Sequence, residues 1–301
     1  MFKPIQRAIF HTRGLEFTRH LATRSYTPPK PQRTLLSKVA IVTGAGSPPS
    51  TLGNGAAISL LLAEDSATVI CVDKSLSLAT QTASLITSSH PASIPLPIQA
   101  DVTIPSDCKR VVDTTLSKFG RLDILINVVG ILGTKGNAAD LDLDEWDDGM
   151  LVNVKTMVAM SKYAIRAMRR NEKTEEHPIR GSIVNLGSVA GLRGGTPSLL
   201  YPTSKGAVVN MTRAMAAQHG VEGIRVNCVC PGMMYSPMMY RDGMTDEMRE
   251  ARKRRSLLGT EGNVWDCASV VRFLAGDEAR WITGVALPVD AGATAAVGLS
   301  M

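Results

Sequence analysis

The chain has 301 residues, 44% of them hydrophobic, 20% charged and 4% aromatic. That composition excludes a disordered, collagen-like or disulfide-dense protein, and no unbroken apolar stretch reaches the roughly 18 residues of a bilayer-spanning helix. The formal net charge of +6 is unevenly placed: Lys3, Arg7, Arg13, Arg19, Arg24 and Lys30 face Glu16 alone in the first 30 residues, a net of +5, and the other 271 residues carry +1. Bulk electrostatics therefore give nucleic-acid binding little support.

Residues 1–35 read as a leader and linker. Arginines recur at about six-residue intervals with a single acid, and Phe2, Ile5 and Ile9 lie at helical spacing with Lys3 and Arg7 on another face. This is similar to a mitochondrial transit peptide, whereas the arginines interrupt every apolar run that a secretory signal would need. Arg24-Ser25-Tyr26 resembles a matrix-processing site, followed by the proline-spaced Thr27-Pro28-Pro29-Lys30-Pro31. The expected address is the mitochondrial matrix; the alternative is a cytoplasmic protein with a disordered tail.

Residues 36–301 form the expected domain. Short apolar, β-branched runs at 39–43, 68–72, 94–99, 122–127, 182–186, 225–229 and 285–289 read as strands, and amphipathic segments at 55–64, 107–119, 143–170, 202–219, 246–256 and 264–274 as helices. That alternation predicts an α/β protein: a single doubly wound Rossmann fold with a seven-stranded parallel sheet and helices on both faces. The polar stretch 170–178 reads as a surface insertion.

The first strand runs into Thr43-Gly44-Ala45-Gly46, and a helix starts near Gly53-Asn54-Gly55. Glycines at such a turn let backbone approach a pyrophosphate at a helix N-terminus. Asp73, at the end of the second strand, is placed to accept the ribose hydroxyls of NAD and to repel the 2′-phosphate of NADP. Lys74 and the hydroxyls of Ser47, Ser50 and Thr51 leave NADP(H) open as the alternative. Further on, Tyr201 and Lys205 are four apart on a helix entered through Pro202, so their side chains share a face. A tyrosine working as an acid and base near neutrality needs its pKa lowered by about 3 units, which a close ammonium favours. Ser188, after the fifth strand, lies at a carboxyl end, where ligands bind in such sheets.

Together these motifs resemble the short-chain dehydrogenase/reductase family over residues 36–297. The family's cofactor turn matches Thr43, Gly44, Gly53 and Gly55, with eight residues rather than three between Gly44 and Gly53. Its Asp-Val matches Asp101-Val102, which the resemblance places at the adenine, and its Asn-Asn-Ala-Gly matches Asn127-Val128-Val129-Gly130. Its catalytic Asn, Ser, Tyr and Lys match Asn153, Ser188, Tyr201 and Lys205, and the resemblance gives Asn153 a water that links Lys205 to solvent. Pro231-Gly232 matches the pair that shapes the nicotinamide pocket, and Ser236-Pro237-Met238 stands for the usual Thr-Pro-Met. The closing Leu287-Pro288-Val289-Asp290-Ala291-Gly292 lies where relatives form tetramers, so a homotetramer or homodimer is expected. The implied activity is NAD(H)-dependent interconversion of a secondary alcohol and a ketone. The rival reading is a non-catalytic scaffold or RNA-processing partner that retains the fold.

Other features read more plainly. The five cysteines are odd in number and scattered, and Cys228 and Cys230 would share one face of a strand as reduced, packed thiols rather than as metal ligands. Arg252-Lys253-Arg254-Arg255 shares its helix with Glu247 and Glu250, which indicates a solvated face or subunit contact. Met233, Met234, Met238, Met239, Met244 and Met248 crowd the segment that forms the substrate lid in relatives and imply a largely apolar substrate or plain core packing.

Overall fold

The computed structural model describes residues 30–48, 51–174, 177–240 and 243–296. Most of the leader, at 1–29, and Ser50 of the enlarged turn lie outside the described residues. The strands are β1 (Val39–Thr43), β2 (Thr68–Asp73), β3 (Leu96–Gln99), β4 (Ile124–Asn127), β5 (Gly181–Leu186), β6 (Ile224–Pro231), the two-residue β7 (Met234–Tyr235) and β8 (Gly262–Asn263), and β9 (Ala286–Val289). The helices are α1 (Asn54–Glu64), α2 (Leu76–Ser89), α3 (Pro105–Phe119), α4 (Leu143–Met150), α5 (Thr156–Met168), α6 (Leu200–His219), α7 (Pro237–Tyr240), α8 (Asp246–Lys253) and α9 (Val264–Ala275).

Seven strands form one parallel sheet in the order β3-β2-β1-β4-β5-β6-β9, as the alternating pattern predicts. Both faces are covered, which is why the strands are continuous apolar runs rather than half-polar alternations. Ala40, Val42, Val69 and Cys71 pack toward α1 and α9, while Val39, Ile41, Ile70 and Val72 pack toward α3 and α5. The chain order reverses between β1 and β4, so the crevice for a ligand opens beyond the carboxyl ends of these strands. No helix among the described residues is long and apolar enough to cross a membrane.

Four departures from the expected elements have physical causes. The whole of α2 is additional: seven of its 14 residues are Ser or Thr, which compete with helical hydrogen bonding and obscure the apolar period. Tertiary contacts override that preference, with Ile86 in the core and the Thr82 hydroxyl donating to the Ala45 carbonyl at 2.7 Å. The helix expected over 143–170 is interrupted by a π-helical turn, Leu151–Lys155, centred on Asn153. β3 begins at Leu96, and Ile94 is exposed, consistent with the prolines of an edge strand. Finally, the packed fold starts before residue 36, since Leu35 is buried and its N–H donates to the Asp65 carbonyl at 2.7 Å.

Candidate active site

The turn after β1 is shaped by its glycines. Gly44 has φ +67°, a left-handed conformation that glycine adopts without strain, and a Cβ on Gly55 would lie 2.0 Å from the Gly44 carbonyl oxygen. Gly55 thus acts by letting α1 press onto the turn. Gly53 is at φ −90° and caps α1, and its N–H is already taken by the Ser47 hydroxyl at 3.1 Å. That hydroxyl also donates to the Thr51 carbonyl. Ser47 is therefore spent inside the enlarged turn and is not held ready for a phosphate, contrary to the alternative left open above. The N–H groups at the start of α1 retain the general anion-binding character of a helix N-terminus.

Asp73 is held by two backbone donors, Gly46 N–H at 3.0 Å to Oδ2 and Ser75 N–H at 3.0 Å to Oδ1. A Cβ at Gly46 would stand 2.6 Å from that carboxylate, so Gly46, named with the turn but matched to no position of the family's cofactor motif, is what admits it. Asp73 lines a cavity of about 570 Å3 together with Gly44, Gly53, Gly55, Lys74, Asp101, Val102 and Gly130. Asp101 is fixed there by the Thr103 N–H and hydroxyl on Oδ1, at 2.9 and 2.7 Å.

A second cavity, of about 100 Å3, continues from the first and is lined by Gly130, Ser188, Tyr201, Lys205, Pro231, Gly232 and the methionines Met234, Met238 and Met239. Ser188 follows β5, and its Oγ accepts the Ala190 N–H at 3.1 Å, which leaves the hydroxyl proton available to a second acceptor. Tyr201 and Lys205 share one face of α6. The Lys205 Nζ donates to the Leu186 carbonyl at 2.8 Å and lies 5.8 Å from the Tyr201 ring centroid.

Burial pushes the Lys205 ammonium down to about 8. It also pushes the Tyr201 phenol up from its usual value, with the neighbouring Ser188 hydroxyl offsetting part of the rise. The lowering expected for Tyr201 is therefore not produced by these side chains alone, because loss of water outweighs an ammonium drawn toward Leu186.

Of the two asparagines expected in the site, Asn127 takes a different place. The Asn127 side chain is turned into the core, where Nδ2 donates to Asn185 Oδ1 at 2.8 Å and to the Ser161 hydroxyl at 3.3 Å; it lines neither cavity. It ties β4 to β5, next to the switch point between β1 and β4. Asn153, fully buried, accepts the Ile131 N–H at 2.7 Å and uses both amide hydrogens, on the Ile131 carbonyl at 2.9 Å and the Ser204 hydroxyl at 3.0 Å. Both amide hydrogens are thus used on protein partners, and Asn153 is brought beside Lys205, since a Cβ on Gly130 would lie 3.3 Å from Asn153 Oδ1 and 3.2 Å from Lys205 Nζ.

Cys228 and Cys230 lie on one face of β6 behind the cavity, with sulfurs 3.7 Å apart and both buried. Gly187 makes room for them, since a Cβ there would meet Cys228 Sγ at 2.6 Å. Of the basic run, Arg252 is directed inward. With Arg249 it clamps the buried Glu261, at 2.5 and 3.1 Å, and it also donates to the Met234 carbonyl at 2.8 Å, fastening α8 to the lid segment.

The residues fit a dinucleotide: a cavity with a fixed carboxylate and a glycine turn shares Val128, Gly130 and Ser236 with the cavity of the Tyr–Lys–Ser cluster. The turn also holds two buried polar atoms, Thr51 Oγ1 and Asn54 Oδ1, with no partner among the described residues. Fold and site together define a nucleotide-dependent oxidoreductase of the doubly wound α/β class.

A family model described as Enoyl-(Acyl carrier protein) reductase, adh_short_C2, matches residues 50–294. The chain is 32% identical over 262 residues to meso-2,3-butanediol dehydrogenase of Serratia marcescens, covering 87% of this chain and 96% of that protein. It is 35% identical over 270 residues to (+)-borneol dehydrogenase 2 of Salvia officinalis, covering 86% and 90%. Among solved structures, levodione reductase superposes with a TM-score of 0.79 at 27% identity, covering 87% of this chain and 99% of that one. The chain belongs to the short-chain dehydrogenase/reductase family.

Proposed function

We propose that the protein interconverts a secondary alcohol and a ketone with a nicotinamide dinucleotide, and that it favours NAD(H) over NADP(H). The observation that carries the reaction is the meeting of Tyr201, Ser188 and Lys205 around a cavity that shares lining residues with the larger one holding Asp73. Relatives named for acting on butanediol and borneol support a secondary-alcohol substrate.

When bound, the dinucleotide supplies or accepts the hydride. Tyr201 gives its hydroxyl proton to the ketone oxygen, or takes one from the alcohol. Ser188, with its oxygen engaged by Ala190 N–H, donates its hydroxyl proton to the same substrate oxygen and holds it beside the phenol. Lys205 supplies a buried positive charge next to the ring, which favours phenolate, and in the bound state holds a ribose hydroxyl of the cofactor. Asn153 and Gly130 position the wall opposite. Met234, Met238 and Met239 give the substrate an apolar, adaptable contact.

The NAD preference rests on Asp73, whose carboxylate stands where a 2′-phosphate would bring a second negative charge. We further propose a mitochondrial address from the basic leader and a homo-oligomer from the closing strand motif. No observation favours the scaffold or RNA-partner reading, and Arg252 of the basic run is used to fasten the lid. A panel of secondary alcohols and ketones, followed by NADH absorbance, tests the function. Turnover of at least one member is expected, and absence of turnover across the panel, with RNA or a partner co-purifying, would refute it.

A further inference from the structure

Met234, with Met238 and Met239 of α7, lines the smaller cavity together with Ser188 and Tyr201, but no catalytic side chain holds this methionine wall in place. The helix that follows it, α8, cannot be fixed by apolar packing, because none of its eight residues is buried. Its hold on the fold is electrostatic. Arg249 and Arg252, three apart and so on one face of α8, both reach Glu261, whose side chain is only 2% exposed. Arg249 Nε donates to one carboxylate oxygen at 3.1 Å and Arg252 Nε to the other at 2.5 Å. Arg252 Nη2 also donates to the Met234 carbonyl at 2.8 Å. The Arg249 guanidinium lies 4.1 Å from the centroid of the Tyr235 ring, which in turn is 4.6 Å from that of Tyr240. Both ends of the methionine segment, Met234–Tyr235 and Tyr240, are thus tied through the two arginines to one carboxylate.

Glu261 is itself anchored to the rigid part of the molecule. The next residue, Gly262, donates its N–H to the Met233 carbonyl at 3.1 Å, and β8 pairs with β7. Asn263 then opens α9 with a capping box shared with Asp266, and Cys267, Ala268, Val271 and Leu274 of α9 lie in the core. A carboxylate so nearly cut off from solvent is weakly screened, and its ion pairs hold more firmly than exposed ones. We propose that Glu261 is a positioning residue for the substrate: through Arg249 and Arg252 it fixes the wall of Met234, Met238 and Met239 against the substrate's carbon skeleton, while Tyr201, Ser188 and Lys205 act on its oxygen. The proposal rests on the reading of the smaller cavity as the substrate end of an alcohol–ketone oxidoreductase. The wall touches the part of the substrate that does not react, so loosening it weakens ground state and transition state alike and raises KM with little change in kcat.

The test compares the full-length wild type with Glu261→Gln, which keeps the shape of the side chain and removes its charge. Steady-state kinetics are measured on the best substrate from a panel of secondary alcohols that includes 2,3-butanediol and borneol, and ADP-ribose affinity by calorimetry. Limited trypsin cleavage after residues 252–255, the basic run at the end of α8, reports by mass spectrometry on how firmly that helix is held. Glu261→Gln should raise KM for the alcohol by about tenfold or more, with kcat held within about threefold and ADP-ribose affinity within about twofold, and should speed cleavage at 252–255 by about tenfold. Arg249→Met, at a side chain 36% exposed, keeps the test decisive should Glu261→Gln fail to fold; it should move KM and cleavage in the same direction by about threefold. An unchanged KM, with or without faster cleavage, or a parallel loss of kcat and ADP-ribose affinity, would overturn the assignment while leaving the reaction reading intact. A wild type that turns over no member of the panel would overturn the reaction reading, and the assignment with it.

Discussion

Lys205 offers a test in which stability and activity move in opposite directions. Its ammonium is fully buried on α6, with one hydrogen bond to the Leu186 carbonyl at 2.8 Å and a pKa pushed down to about 8 by burial. In the unfolded chain a lysine titrates near 10.4, and each unit of difference corresponds to about 1.4 kcal/mol, so keeping this residue charged disfavours the native state by about 3 kcal/mol. The sign follows from proton counting. Below pH 8 both states are protonated and the whole penalty is present; between about 8 and 10.4 the unfolded state binds more protons, so wild-type stability rises with pH; above that range the penalty is gone. Replacing Lys205 by Met removes the charge in a similar volume but orphans the Leu186 carbonyl, which costs about 1 kcal/mol. Lys205→Met should therefore be about 2 kcal/mol more stable than the wild type at pH 7 in urea denaturation, with the gap closing above pH 8, and it should lose nearly all turnover. A variant less stable than the wild type at pH 7, or a gap independent of pH, would refute the reasoning.

Asp73→Ala should raise affinity for NADPH relative to NADH by at least about tenfold, since even half of the roughly 4 kcal/mol between unit charges 4 Å apart at an effective dielectric of 20 exceeds that factor; paired dissociation constants for both cofactors check it. Gly55→Ala should lower the unfolding free energy by about 2 kcal/mol or more, because its Cβ would lie 2.0 Å from the Gly44 carbonyl oxygen, while Gly53→Ala, with nothing within 4 Å, should be nearly neutral in the same denaturation assay. Residues 1–35 fused to a fluorescent reporter should direct it to mitochondria with cleavage near Tyr26, and uniform cytosolic fluorescence would contradict the leader reading.

The sheet was legible because each strand is buried on both faces and so written as an apolar, β-branched run: residues 39–43 match β1 at both ends. The Tyr201–Lys205 pair was legible because four-residue spacing on a helix is a geometric statement, and the structure brings both beside Ser188. What sequence could not carry was direction and conformation. Asn127 and Asn153 stand at recognisable motif positions, but which way each amide turns depends on partners 58, 34 and 22 residues away. The π-helical turn at Asn153 leaves no trace in a period of 3.6, and α2 was hidden because its Ser and Thr residues are individually poor helix formers.

The central claim is that Tyr201 exchanges the proton while hydride moves to or from the dinucleotide. The measurement that tests it most directly compares wild type and Tyr201→Phe for turnover of a secondary alcohol, with dinucleotide affinity measured on the same samples. Removing one hydroxyl that serves as acid and base should cut kcat by about a hundredfold to ten-thousandfold, with the dissociation constant for the dinucleotide changed by no more than about twofold. Undiminished turnover in Tyr201→Phe, at unchanged cofactor affinity, would contradict the account.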